Sequence, residues 1–182
     1  MTHRLELESP RADLCISYRG LVSEFAERGD SLVPFVLSMP NEDFAAFVEK
    51  LLAWSRGEGL PEGFVPHSTF FLVRDGSEVV GVSNFRHRLT EALRIEGGHI
   101  GYGIRPSARG IGYGSLILRE TLARARKAGL FEVWLTCAKT NTASARTILR
   151  NGGELMSEEY IERRGEIVQR YRIPLNGKVD AL

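Results

Sequence analysis

Between residues 99 and 137 the chain carries a strand, a glycine-rich loop, a helix and a second strand, and few folds accommodate that unit. His99 to Arg105 reads as the first strand. Pro106 to Ser115, PSARGIGYGS, is the loop. Tyr113 to Lys127 is a helix whose buried face is built from Ile117, Leu118, Thr121, Leu122 and Ala125. Arg119, Arg124, Arg126 and Lys127 lie largely on its other side, and Gly129 stops it. Phe131 to Cys137 is a short, mostly apolar strand of the kind covered on both faces. Strand, helix, strand in this order predicts a parallel pair joined by a right-handed crossover.

Around this unit the first third reads mainly as helix. One helix spans Leu14 to Arg28 and ends at Gly29. A second is expected to be capped by Asn41, with Glu42 and Asp43 in its first turn. Its apolar stripe is Phe44, Phe47, Val48, Leu51 and Leu52, and Gly57 and Gly59 end it. Ser68 to Arg74 and Val79 to Arg86 read as a hairpin about Asp75-Gly76. Gly101 and Gly103 are unusual inside a strand and predict a bulge or the close approach of another chain or ligand. Asn141 caps a last helix carrying Ala145, Ile148 and Leu149, which stops at Gly152-Gly153. Two strands, Leu155 to Glu162 and Ile167 to Ile173, flank a turn at Arg164-Gly165. The expected fold is a single α/β (α+β) domain over residues 1–182. Its sheet is mixed and mostly antiparallel, of about six to seven strands, with helices on both faces.

Charge narrows the partners. With 24 basic and 23 acidic residues the net charge is +1, so nothing calls for nucleic acid or an anionic membrane. No stretch approaches the roughly 18 apolar residues of a membrane span. The N-terminal MTHRLELESPRADL is charged throughout and has no apolar core of a secretory signal. Cys15 and Cys137 are the only cysteines, without CxxC or zinc spacing, so neither a disulfide framework nor a metal site is expected. A cytoplasmic location is the simplest reading.

The loop is where chemistry is expected. Gly110, Gly112 and Gly114 let the backbone approach a ligand closely. The first amides of the following helix have no internal partners, and the helix dipole makes that end attractive to a phosphate or pyrophosphate. Arg109 can add charge from the rim. The loop lacks GxxxxGK[ST], which excludes a P-loop, and Ser115 breaks the dinucleotide spacing GxGxxG.

Arg109-Gly110-Ile111-Gly112-Tyr113-Gly114 matches Q/R-x-x-G-x-G/A, and here the chain resembles the Gcn5-related N-acetyltransferases (GNAT). Ile104-Arg105-Pro106 is similar to the strand end that precedes that pattern. Asn141-Thr142-Ala143-Ser144 is similar to the family's N-x-x-[AS] start of the last helix. A subgroup of predicted acetyltransferases looks closer still, through Gly97 to Tyr102 and Thr136-Cys137. The resemblance covers roughly Ser68 to Ile173, with residues 1–67 a variable helical part.

The resemblance implies an enzyme that transfers acetyl from acetyl-CoA to a small-molecule or peptide amine by direct attack. Backbone amides from Arg109 through Gly110, Ile111, Gly112 and Tyr113 to Gly114 would hold the pyrophosphate. The strand around Tyr102 and Ile104 would bond the pantetheine arm and polarise the thioester. Asn141 and Ser144 would line the same cofactor. The tyrosine that many members use as acid falls at Ile148, and the closing Gly-Phe is Gly152-Gly153. His99 is then the expected base, with Glu96 and Tyr160 as rivals, because an imidazole titrates near neutrality. Its plain alternative is a buried histidine that orients backbone. Phe44, Trp54, His67 and Tyr160 are candidates to line the acceptor groove, and a homodimer is compatible with the family. The competing functions are a non-catalytic acyl-CoA-binding or regulatory module, and the same fold using another acyl-CoA or acceptor.

Overall fold

The computed structural model describes residues 3–175. It has seven strands and five helices, apart from short 3-10 turns. In chain order these are β1 (Leu5–Glu8), α1 (Cys15–Glu27), α2 (Phe44–Ser55), β2 (His67–Arg74), β3 (Glu78–Arg86), α3 (Glu91–Ile95), β4 (Ile100–Ile104), α4 (Tyr113–Lys127), β5 (Glu132–Ala138), α5 (Thr142–Arg150), β6 (Glu154–Ile161) and β7 (Glu166–Pro174). Two elements escape the sequence reading: β1, whose alternation lasts only four residues, and α3, a single turn capped by Thr90. The cap of α2 is Asp43, whose carboxylate accepts from the Ala46 amide. Asn41, expected to cap, instead accepts from Arg19.

The strands form two sheets, β1-β2-β3-β4 and β5-β7-β6, and every ladder in them is antiparallel. The expected parallel ladder between β4 and β5 is absent. The crossover through α4 exists, but the two strands touch at one end only and then diverge, leaving a wedge whose edges have no strand partner.

Two cores cover the two faces. Tyr18, Leu21 and Phe25 of α1, with Phe44, Phe47 and Leu51 of α2, pack on Phe71, Val73, Val79 and Val82. Ile117, Leu118, Leu122 and Ala125 of α4, with Ile148 of α5, pack on Leu72, Val80, Ile100, Ile104 and Leu135. Both helix faces follow the 3.6-residue stripe of the sequence.

Candidate functional site

The site follows β4 from one end to the other. At its C-terminal end the chain passes through a turn at Pro106–Ala108 into the glycine loop. Gly110 and Gly112 sit at φ +84° and +94°, where a side chain is strained, and a Cβ at either would meet nothing within 4 Å. Gly114 differs: it lies inside α4, and a Cβ there would meet Thr147 Oγ1 of α5 at 3.4 Å. Among the described residues no backbone carbonyl accepts from the amides of residues 110–115; the first helical bond is Leu116 N–H to the Gly112 carbonyl. Those donors stand at the positive end of a 15-residue helix. An anion such as a pyrophosphate fits these six unused N–H groups.

The N-terminal part holds this loop in place. Glu24 of α1 accepts from Arg105 Nε at 2.6 Å and from the Ser107 amide at 3.0 Å, and these partners lower its carboxyl pKa against the opposing effect of burial. Arg109 is not a free rim charge. Its guanidinium donates to the Ile104 carbonyl and to Asp30 at 2.6 Å, and it lies 4.9 Å from the Phe25 ring centroid. Glu24 and Asp30 escaped the sequence reading because both sit about 80 residues from their partners.

Along β4 the register with β3 decides which groups face the wedge. Arg105 N–H donates to the Val80 carbonyl, and Gly81 stands opposite Ile104. Antiparallel alternation then spends the backbone of Gly101 and Gly103 on β3 and turns that of Tyr102 and Ile104 toward the wedge. The close neighbour of the two glycines is this chain's own Val33–Pro34, not a ligand or another chain. A Cβ on Gly103 would overlap the Val33 carbonyl oxygen, and one on Gly101 would touch Pro34. On the wedge side the Tyr102 hydroxyl lies 3.1 Å from Ser144 Oγ. Ser144 is held in the first turn of α5 by its amide, which donates to Asn141 Oδ1.

At the N-terminal end of β4 the wedge is closed. His99 N–H donates to the Trp134 carbonyl at 2.7 Å, and Trp134 N–H donates to His99 Nδ1 at 3.0 Å. Gly97 N–H donates to Thr136 Oγ1, and a Cβ on Gly98 would overlap the Trp134 carbonyl. His99 is therefore buried, with Nδ1 committed as an acceptor and the ring proton on Nε2. Burial, aided by Arg94, pushes its pKa down to about 4. A ring so placed cannot take a proton at neutral pH without breaking the contact that closes the wedge.

The rivals fare differently. Glu96 binds Arg163 and, at 3.2 Å, Arg164, which ties the turn between β6 and β7 to the loop before β4. Tyr160 is 60% exposed on β6. His87 Nε2 lies 2.9 Å from Ser68 Oγ, and burial lowers its pKa. Cys137 is a buried free thiol whose pKa burial raises. Ile148 is fully buried, pressed against Gly153. Of the acceptor-groove candidates, Phe44 and Trp54 belong to the core beneath α1 and α2, and His67 is buried between Asn84 and the rings of Trp54, Phe35 and Phe64.

A family model described as the acetyltransferase (GNAT) family matches residues 34–152. Comparison of the sequence with curated proteins gives no match. Among solved structures the chain is similar to RimL, a ribosomal L7/L12 alpha-N-protein acetyltransferase in complex with coenzyme A. That likeness has 20% identity, covers 96% of each chain and has a TM-score of 0.70. It is similar to the ribosomal-protein-S5-alanine acetyltransferase from Vibrio fischeri at 13% identity, 97% and 96% coverage and a TM-score of 0.72. It is also similar to the microcin C7 self-immunity acetyltransferase MccE, bound to acetyl-CoA and AMP, at 16% identity, 93% and 92% coverage and a TM-score of 0.69.

Proposed function

The chain belongs to the acetyltransferase (GNAT) family, and from that premise we propose which of its residues hold acetyl-CoA and which kind of amine it serves. The reaction is acetyl transfer from acetyl-CoA to an amine. The amides of residues 110–115, from Gly110 through Ile111, Gly112, Tyr113 and Gly114 to Ser115, bind the pyrophosphate. The single observation that carries this is that all six amide hydrogens are unused at the N-terminus of α4. Arg109, expected from the sequence to join them, is not among these donors: its amide donates to the Pro106 carbonyl at 3.4 Å and Asp30 holds its side chain, so it acts by holding the loop. The backbone of Tyr102 and Ile104 pairs with the pantetheine arm as an added strand and supplies the N–H that stabilises charge on the thioester oxygen. Asn141 and Ser144 form the opposite lip.

The acceptor is an amine that ionises near neutrality. A lysine amine, with a reference pKa of about 10.4, is neutral about once in 2,500 molecules at pH 7 and needs a positioned base; an α-amine, at about 7.7–8.0, is neutral about once in ten. His99 Nδ1 accepts from Trp134 N–H, Glu96 is bound by two arginines, and Tyr160 stands in solvent. The α-amine of a peptide or a small molecule therefore suits this site better than a lysine side chain, and it loses its proton to water at the open mouth before attack. RimL and the S5-alanine enzyme, by their descriptions, act on ribosomal proteins, RimL on an α-amine. A single domain over residues 1–182, a cytoplasmic location and the absence of nucleic-acid or membrane partners complete the reading. The near-neutral charge is what speaks for them; among the described residues no helix is long and apolar enough to cross a membrane. A homodimer is compatible with it.

Two measurements test it. Acetyl-CoA raises the melting temperature of the wild type, and Gly112→Asp, which puts bulk and negative charge at φ +94° in the loop, removes the shift while the protein stays folded. Thiol release with a peptide whose only amine is its N-terminus exceeds that with an N-capped lysine peptide by at least about tenfold in kcat/KM, well inside the difference in neutral fraction. A retained shift in folded Gly112→Asp contradicts the loop assignment, and a preference for the lysine peptide contradicts the acceptor class. Binding of acetyl-CoA without thiol release from any amine would favour the non-catalytic module.

A further inference from the structure

We infer that Tyr102 is the general acid of this enzyme: its phenol, presented from β4 into the wedge, gives a proton to the sulfur of CoA as the thioester breaks. The inference rests on the reading that the pantetheine arm lies in the wedge. Ile100, Tyr102 and Ile104 share one face of β4 by strand alternation, the face that carries α4 and α5. Ile100 and Ile104 are buried there, whereas Tyr102 between them keeps partial exposure because β5 has already diverged. Its hydroxyl ends 3.1 Å from Ser144 Oγ in the first turn of α5. Cys137, on the same face of β5, is the remaining polar neighbour.

The chemistry selects among these groups. The amine nitrogen's lone pair forms the C–N bond, the C–S bond breaks, and its electron pair stays on sulfur, which needs a proton. Serine and threonine hydroxyls do not titrate in the working range. The Cys137 thiol is buried, and burial raises its pKa. Ile148 of α5, where a side-chain acid would otherwise be sought, is apolar and fully buried. The phenol is the one remaining proton donor in this part of the wedge. Burial pushes its pKa up to about 12, so it holds its proton at every working pH, while the Ser144 hydroxyl, 3.1 Å away, is placed to stabilise the phenolate formed on donation. The amine nitrogen gives up two protons to water, one before attack and one as the amide forms; one of them returns to the phenolate after it has protonated sulfur, so each turnover yields the amide, the CoA thiol and one released proton.

The test uses the full chain. Tyr102→Phe keeps the ring packing and is expected to lower kcat by roughly 10²–10⁴-fold with the melting temperature and the acetyl-CoA shift retained. Replacing Tyr102 with 3,5-difluorotyrosine, a more acidic phenol, introduces an alkaline fall in kcat that the wild type lacks. Its fluorine resonance also moves when CoA is added, a readout independent of turnover. Wild-type kcat in Tyr102→Phe, with the acetyl-CoA shift intact, overturns the assignment and leaves the cofactor reading standing. An unchanged pH profile in the difluorotyrosine protein also overturns it, because kcat must follow the ionisation of the group that donates the proton. If wild-type protein shows no acetyl-CoA shift, the cofactor reading fails first and this inference falls with it.

Discussion

The two ends of β4 are opposites. Its C-terminal end opens into a loop whose backbone donors are unspent and whose glycines face empty space. Its N-terminal end is closed by two hydrogen bonds between His99 and Trp134, and Gly98 is there because the Trp134 carbonyl leaves no room for a side chain. Glycine serves conformation and ligand access at one end and contact within the chain at the other. A crossover unit can thus open a wedge within a fold: pinning the strands at one end lets them diverge at the other, so that edges which would pair with each other are left without a strand partner.

Breaking the closed end carries the largest effect. Gly98→Ala places a Cβ on the Trp134 carbonyl at φ +63° and should cost about 2–5 kcal/mol of stability by chemical denaturation. An unchanged midpoint would mean that β5 does not approach so closely. Acid comes next. The folded pKa values of His67 and His99, each about 4, lie below the ordinary 6.5 because of burial. The unfolded chain therefore takes up protons first. Stability is fully present above about pH 6.5 and is lost as pH falls from there toward 4, by on the order of 3 kcal/mol for each ring. In His99→Asn the loss should be visibly shallower, while the kcat profile between pH 6 and 8 keeps its shape; a lost acidic limb in that profile would restore His99 as the base. The smallest effect is expected at the open end. Asp30→Asn releases Arg109 from a half-exposed ion pair, which should change stability by less than about 1 kcal/mol and acetyl-CoA affinity by no more than about threefold. A larger loss of affinity would mean that the pair organises the loop.

What could be read in advance followed the range of the signal. The extent of α4, the positive-φ positions Gly110 and Gly112, and the Asn141 cap of α5 depend on residues within a turn of one another, and each stands where the sequence places it. The choice of Asn41 over Asp43 as the cap of α2 failed because both side chains can accept from an amide, and the helix begins at Phe44, two residues later than an Asn41 cap requires. The splay of β4 from β5, the seat of Val33 on Gly103, and the partners Glu24 and Asp30 depend on residues 35 to 80 positions apart, for which a single sequence carries no local mark. The base assignment to His99 rested on the residue's intrinsic pKa. Its environment changes that value, and the environment is supplied by Trp134.

In the proposed complex the unspent amides of residues 110–115 and the wedge-facing backbone of Tyr102 and Ile104 receive acetyl-CoA. Amide-resolved NMR of the full chain, titrated with CoA, tests it at the atoms concerned. The N–H resonances of residues 110–115, with those of Tyr102 and Ile104, are expected to move most, and those of Gly98 and Trp134 at the closed end least. Saturable CoA binding that leaves residues 110–115 unmoved, with the largest shifts elsewhere, would contradict it.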